Sequence, residues 1–355
     1  MSEKVLMKGN EAIAEAAIQA GCHHYFGYPI TPQTEVAAYM AKRMPKIGGT
    51  FLQAESEVSA INMVIGVAST GKRVMTSSSS PGVSLKAEGI SYLAGCDLPA
   101  VVVNVQRGGP GLGGIQPSQS DYFQSTKGGG HGDYRNIVLA PASVQEMASL
   151  TVKAFDLADK YSMVSMILAD GTMGQMMEPV SLDIGEVKTY EKPWALTGTK
   201  CEREHNIVNS LYLKPEELEV KNFERYEKYK SIEENEVMYE EYLMDDAEVC
   251  IVAFGITSRV AKNAVNEARA NGVKVGMIRP ITLWPFPKKV LADAAEKCKA
   301  FICVEMNMGQ MIEDVELAIR CKKPVYLCNR VGGMIPTPEE VLAKINDVNE
   351  NGGAF

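Results

Sequence analysis

The chain has 355 residues, 46% of them apolar and 23% charged, with a net charge of −8. That length suits two cores of ordinary size, and the acidic balance argues against general affinity for nucleic acid or anionic membrane surfaces. No stretch approaches the roughly 18 apolar residues of a membrane span, and the opening MSEKVLMKGN mixes both charge signs without an apolar signal core.

Taken in chain order, residues 5–170 alternate helical and strand patterns. A helix around NEAIAEAAIQAG precedes the strand HYFGY and the helix TEVAAYMAKRM. The strand TFLQA then leads to a helix after Ser56, the strand RVMTS and a helix near SLKAEGISYLAG. The strand AVVVNV opens into a long glycine-rich loop, followed by the strand IVLA, the helix VQEMASLTVKAFDLADK and the strand SMVSMILA. Apolar strands separated by helices predict a parallel sheet covered on both faces, so residues 1–185 are read as a doubly wound α/β domain.

Residues 186–245 break this rhythm. Between Glu216 and Glu248 the chain is crowded with Glu, Lys and Tyr, which reads as a charged, solvated helical linker. Tyr226/Tyr229 and Tyr239/Tyr242, at helical i, i+3 spacing, keep a partner-docking role open. The α/β pattern restarts in residues 246–355 with the strands EVCIVAFG, KVGMIRP, AFICVE and PVYLCN. Its helices are TSRVAKNAVNEARANG, closed by Gly272, KKVLADAAEKC and PEEVLAKINDV.

Several motifs carry chemistry. GVASTGKR (66–73) nearly spells a P-loop, but Arg73 replaces the Ser/Thr and a helix, not a strand, comes first. Gly71 there is a helix C-cap. In GYPITPQTE, Pro32 suits a first helical position with Thr31 as N-cap, and SSSSPG repeats the device with Ser80 and Pro81. Arg107 leaves a strand at its carboxyl end, where α/β sheets bind ligands, and either clamps a carboxylate there or is solvated. His131 sits in the same loop without an assigned role. In AESEVSAINMVIG, Glu57 lies on the stripe of Ile61, Val64, Ile65 and Ala68, whereas Glu55 lies outside it. Glu57 is therefore expected to face inward, where a carboxylate needs a hydrogen bond or a raised pKa. The eight cysteines never form C-x-x-C, so no iron–sulfur or zinc site is expected in this chain. Their scatter suits thiols in a reducing cytoplasm.

YPITP, ESEVSAINMVIG, TSSSSPG, the strand ending in QRGGP, and IRPITLWPFP (278–287), in that order, resemble the pyrimidine-binding, alpha-type chain of thiamine-diphosphate-dependent 2-oxoacid:ferredoxin oxidoreductases. The loop PGLGGIQPSQSDYFQSTKGGGHGDY is most similar to branched-chain (2-oxoisovalerate) members, with 2-oxoglutarate members next. The resemblance implies a transketolase-like pyrimidine-binding domain followed by a domain like the transketolase C-terminal domain. It implies that Glu57 hydrogen-bonds N1′ of the cofactor's aminopyrimidine, with Tyr28, Pro29, Ser79 and Ser80 around the cofactor. Thr31 and Arg107 would hold the substrate carboxylate. The chain lacks the G-D-G…Asn signature that binds magnesium and diphosphate; the ADG at 169–171 has no suitable downstream Asn. The resemblance therefore implies no metal on this chain, Mg2+ on a diphosphate-binding subunit, clusters on a ferredoxin-like subunit, and a gamma-type subunit. The implied reaction converts a 2-oxoacid and CoA to acyl-CoA and carbon dioxide, with electrons passed to ferredoxin. Another thiamine enzyme (an oxoacid decarboxylase or a transketolase half-chain) and a non-catalytic scaffold stand as alternatives. A nucleotide-dependent dehydrogenase is disfavoured, since no G-x-G-x-x-G joins a strand to a helix.

Overall fold

The computed structural model describes residues 4–183 and 185–352; Met1–Glu3, part of the opening segment read above, lie outside them. The N-terminal elements are β1 (Lys4–Lys8), α1 (Gly9–Gln19), β2 (His24–Gly27), α2 (Thr34–Arg43), β3 (Thr50–Gln53), α3 (Glu57–Ser69), β4 (Met75–Ser78) and α4 (Pro81–Gly95). They continue through β5 (Ala100–Gln106), α5 (Tyr122–Thr126), β6 (Ile137–Leu139), α6 (Val144–Tyr161), β7 (Val164–Asp170), α7 (Gly171–Gln175) and β8 (Met177–Ser181). A long helix, α8 (Pro215–Asn235), leads to β9 (Tyr239–Tyr242), β10 (Val249–Ala253), α9 (Gly255–Ala270), β11 (Val275–Pro280) and β12 (Thr282–Trp284). The chain ends with α10 (Lys288–Lys297), β13 (Ala300–Glu305), α11 (Met311–Ala318), β14 (Val325–Asn329) and α12 (Pro338–Asn351).

The expected parallel α/β architecture is present twice. The larger sheet runs β12-β6-β7-β5-β4-β2-β3 and the smaller runs β14-β13-β10-β11-β9. Within them only β12 on β6 and β9 on β11 are antiparallel. Strands β5 and β7, with every residue buried, form the centre of the larger sheet. Helix α6 presses a broad buried face against α1 and the sheet.

The structure departs from the sequence reading at several places. Strands β1 and β8 form a separate antiparallel pair, Lys4 opposite Ser181, and neither carried a strand pattern strong enough to be read. Helix α2 starts at Thr34 with Gln33 in the cap position, so Thr31 is not an N-cap and Pro32 is not its first residue. The reason is local competition: the Pro32 carbonyl accepts from Asn10 Nδ2 (2.8 Å) and Gln175 Nε2 (3.2 Å), which packs this turn against α1 and α7. The Thr31–Pro32 peptide is cis. Tyr239 and Tyr242 lie on strand β9, not a helix; Tyr242 stacks under Lys262 at 4.3 Å. Finally, α8 is docked, not wholly solvated: Arg225, Tyr229 and Ile232 are buried, and Tyr229 meets Trp284 edge-on at 5.6 Å.

Among the described residues no helix is long and apolar enough to cross a membrane. Gly71 and Gly272 follow their helices at φ +75° and +85°, as C-cap glycines do. Cys22, Cys250, Cys298 and Cys303 are buried, whereas Cys201 and Cys321 are exposed.

Candidate active site

The site is built on the turn that joins β4 to α4. Pro81 occupies the first helical position and Ser80 the cap position, as read, but the Ser80 hydroxyl does not cap the helix. It donates to Asp121 Oδ2 (2.6 Å) and accepts from the backbone N–H of Arg107 (3.0 Å), while the Ser80 N–H donates to Asn104 Oδ1 (3.1 Å). Ser80 is held at φ 27°, in a region that L-residues enter only under constraint. The hydroxyls of Ser78 and Ser79 are buried without a partner, a costly state unless something outside the chain supplies one.

Glu57 meets this turn from α3. Ser56 caps that helix by accepting from Ser59 N (3.2 Å), which places Glu57 in its first turn. The inward aim read from the stripe is observed: Glu57 is 5% exposed, whereas Glu55 points out and is bonded to Ser59. The Glu57 carboxylate has no hydrogen-bond or ion-pair partner among the described residues. It lies against Gly82, where a Cβ would sit 2.6 Å from Glu57 Oε1 and 2.1 Å from Ser78 Oγ. Only glycine leaves room for the carboxylate.

Arg107 is 7% exposed and not solvated. Its Nη1 donates to the Thr31 carbonyl and its Nη2 to the Leu112 carbonyl, each at 3.0 Å. Nε is buried without a partner. With Ser80, Asp121, Met306, Asn307 and Gln310, Arg107 lines a cleft of about 640 Å³ between the two halves of the chain. Burial raises the Asp121 carboxyl above its ordinary range, against the hydrogen bonds from Ser80 and Asn104. Thr31 is exposed and lines a neighbouring cleft of about 550 Å³ with Pro32, Glu35, Gln116 and Thr172.

Thr31, Arg107 and Ser80 are therefore joined by hydrogen bonds, and Glu57 meets the same turn at Gly82. Tyr28 and Pro29 are exposed, and the Tyr28 carbonyl accepts from Gln33 Nε2 (3.2 Å). The His131 side chain is exposed, and only its carbonyl is used, by Ser91 Oγ (2.7 Å). Asp170 of the ADG stretch caps α7, accepting from Thr172 N and Met173 N, and burial pushes its carboxyl up to about 6. The sequence reading missed Lys86, Asp121, Asn104 and Gln33. Lys86 was findable: it shares the inward stripe of α4 with Val83, Ile90 and Leu93. The others act through loop and turn geometry that has no periodic signal.

Residues 15–243 match the family described as "Pyruvate flavodoxin/ferredoxin oxidoreductase, thiamine diP-bdg". The chain belongs to the 2-oxoacid:ferredoxin oxidoreductase family. Residues 247–341 match the pyruvate:ferredoxin oxidoreductase core domain II. The ketoisovalerate oxidoreductase subunit VorB of Methanothermobacter marburgensis is 54% identical over 344 residues, covering 97% of both chains. The 2-oxoglutarate synthase subunit KorA of the same organism is 36% identical, covering 97% of this chain and 99% of the relative. Among solved structures, a 2-oxoglutarate:ferredoxin oxidoreductase from Magnetococcus marinus, with 2-oxoglutarate, coenzyme A and succinyl-CoA bound, superposes with a TM-score of 0.87 at 29% identity. That match covers 98% of this chain and 65% of the other. A split-gene transketolase shares the fold at a TM-score of 0.62 and 14% identity. As a member of this oxidoreductase family the chain is an enzyme subunit with a thiamine diphosphate-binding domain. Its residues fit an aminopyrimidine: an unpartnered carboxylate, orphaned hydroxyls on Ser78 and Ser79, and a glycine that keeps the recess open.

Proposed function

We propose that this chain is the pyrimidine-side subunit of an oxidoreductase that converts 2-oxoisovalerate, in preference to 2-oxoglutarate, with CoA to acyl-CoA and carbon dioxide. In this reading a second subunit grips the diphosphate and Mg2+, a ferredoxin-like subunit carries the clusters, a gamma-type subunit completes the complex, and electrons leave to ferredoxin. The observation that carries the reading is Glu57: buried, unpartnered, and pressed against a glycine that leaves its carboxylate open to an outside group. Thiamine diphosphate, when bound, supplies the electron sink for loss of carbon dioxide from a 2-oxoacid.

Glu57 holds and exchanges a proton at N1′ of the pyrimidine, a task that needs a poorly solvated acid within hydrogen-bond reach. Ser79, Tyr28 and Pro29 would flank that ring when the cofactor is bound. Arg107 offers the substrate carboxylate the remaining N–H bonds of a guanidinium whose two ends are fixed by the Thr31 and Leu112 carbonyls. Ser80 positions Arg107 by accepting from its backbone N–H. The methionines Met306 and Met308 and Val331 in the cleft wall suit a branched apolar substituent. The greater likeness to the ketoisovalerate relative than to the 2-oxoglutarate one supports the same preference. Val58 and Leu85, exposed on the two helices that meet at Glu57, suit a covering subunit.

The test is viologen-dye reduction by the intact complex with 2-oxoisovalerate, 2-oxoglutarate or pyruvate, for the wild type and Glu57→Gln. The expected result is fastest reduction with 2-oxoisovalerate and a loss of about 100-fold or more in the variant. Full turnover in the variant would make the chain a scaffold. Carbon dioxide release without dye reduction would make the complex a simple decarboxylase.

A further inference from the structure

Lys86 is a cation that nothing above explains. Helix α4 turns Val83, Lys86, Ile90 and Leu93 inward, so one ammonium interrupts an otherwise apolar stripe. It has no exposed surface. Nζ donates to Thr76 Oγ1 at 2.6 Å and to the Ser77 carbonyl at 2.9 Å, both neutral acceptors, and no ion pair closes on it among the described residues. A buried ammonium without a counter-charge is unfavourable.

The surroundings narrow the candidates for that counter-charge. Strand β4 presents only Thr76 and Ser77. Behind them the Ser77 hydroxyl donates to Gln33 Oε1 (2.5 Å) and accepts from Tyr25 OH (2.6 Å), and burial keeps the Tyr25 phenol neutral by raising it far above its ordinary range. The one charged side chain acting on Lys86 comes from α3, and it is Glu57. Gly82, which touches Glu57 Oε1, lies one helical turn before Lys86 on α4. The carboxylate with no partner and the ammonium with no counter-ion thus lie near the same turn of α4, within electrostatic reach of one another.

We propose that Lys86 is a positioning residue for the pyrimidine site, its enclosed ammonium being the counter-charge that keeps the Glu57 carboxylate turned toward the cofactor. The role in catalysis rests on the function proposed above; the charge coupling is a property of this chain alone. Burial lowers the ammonium to about 7 even against the opposing pull of the Glu57 charge, so the two groups are electrostatically linked.

Difference infrared spectroscopy on the isolated full chain separates these statements. The Glu57 carboxyl band is defined by subtracting the spectrum of Glu57→Gln, then titrated in the wild type and in Lys86→Met. Removing the cation should raise the Glu57 midpoint by about one pH unit or more. A midpoint that does not move overturns the proposal, because a lysine that merely fills space leaves it unchanged. Lys86→Gln gives the same reading if the methionine variant fails to fold. Thiamine diphosphate affinity of the reconstituted complex is measured alongside, with about a threefold loss expected in Lys86→Met and a larger loss in Glu57→Gln. A moved midpoint with unchanged affinity in both variants would sink the pyrimidine reading and leave the coupling intact.

Discussion

Single residues show where inward charges become legible. Glu57 was found because a carboxylate on an apolar stripe has no structural reason to face in, and the same rule applied to α4 singles out Lys86. Arg107 was harder. Strand ends look alike whether an arginine reaches water or folds back, and only the carbonyls of Thr31 and Leu112 show that it folds back. Those two bonds need a planar fork, which an ammonium cannot reproduce. We therefore expect Arg107→Lys to raise the oxoacid KM at least about tenfold, roughly 1.4 kcal/mol, with a smaller change in kcat. Steady-state kinetics of the complex would show it, and an unchanged KM would remove Arg107 from the carboxylate site.

At the scale of elements, period and punctuation were readable and competition was not. The buried strands β5, β7 and β10 and the capped helix α3 announce themselves by composition. Helix α2 began later than its Pro32 suggested because two distant side chains claim the Pro32 carbonyl, and no local rule contains Asn10 or Gln175. Likewise β9 hides in a charged, tyrosine-rich stretch because an edge strand need bury little. The α3–α4 contact that frames Glu57 depends on a second glycine: a Cβ on Gly89 would stand 2.5 Å from both Cγ1 and Cγ2 of Ile61. Gly89→Ala should destabilise the chain by about 1–3 kcal/mol through overpacking, read as a lower midpoint in urea unfolding. No change would mean the two helices yield easily at this contact.

Across the whole molecule the two α/β halves are more interwoven than their sequence patterns suggest. Strand β12, from the C-terminal half, completes the N-terminal sheet by pairing with β6, and one continuous core holds Val138 and Leu139 together with Phe254, Trp284 and Phe301. A chain that stops at residue 245 loses that edge strand and bares β6, a template for association. It should aggregate on size-exclusion chromatography, and co-expression with residues 246–355 should restore a soluble species. A monomeric, folded fragment would show that the crossing strand is dispensable. Three residues of extended chain carry no sign in the sequence of which sheet they will join, which is why this crossing went unread.

The loop that carries Arg107 is not slack. Gln119, 1% exposed, donates through Nε2 to the Phe254 carbonyl, and its Oε1 accepts from Met306 N–H at 3.1 Å. Asn307 grips the Gln119 backbone carbonyl at 2.9 Å. The Arg107 loop is thus tethered to a portion of the polypeptide that lies beyond the thiamine-binding family segment. Substitutions at Phe254, Met306 or Asn307, remote in sequence from Arg107, therefore have a lever on where its loop sits.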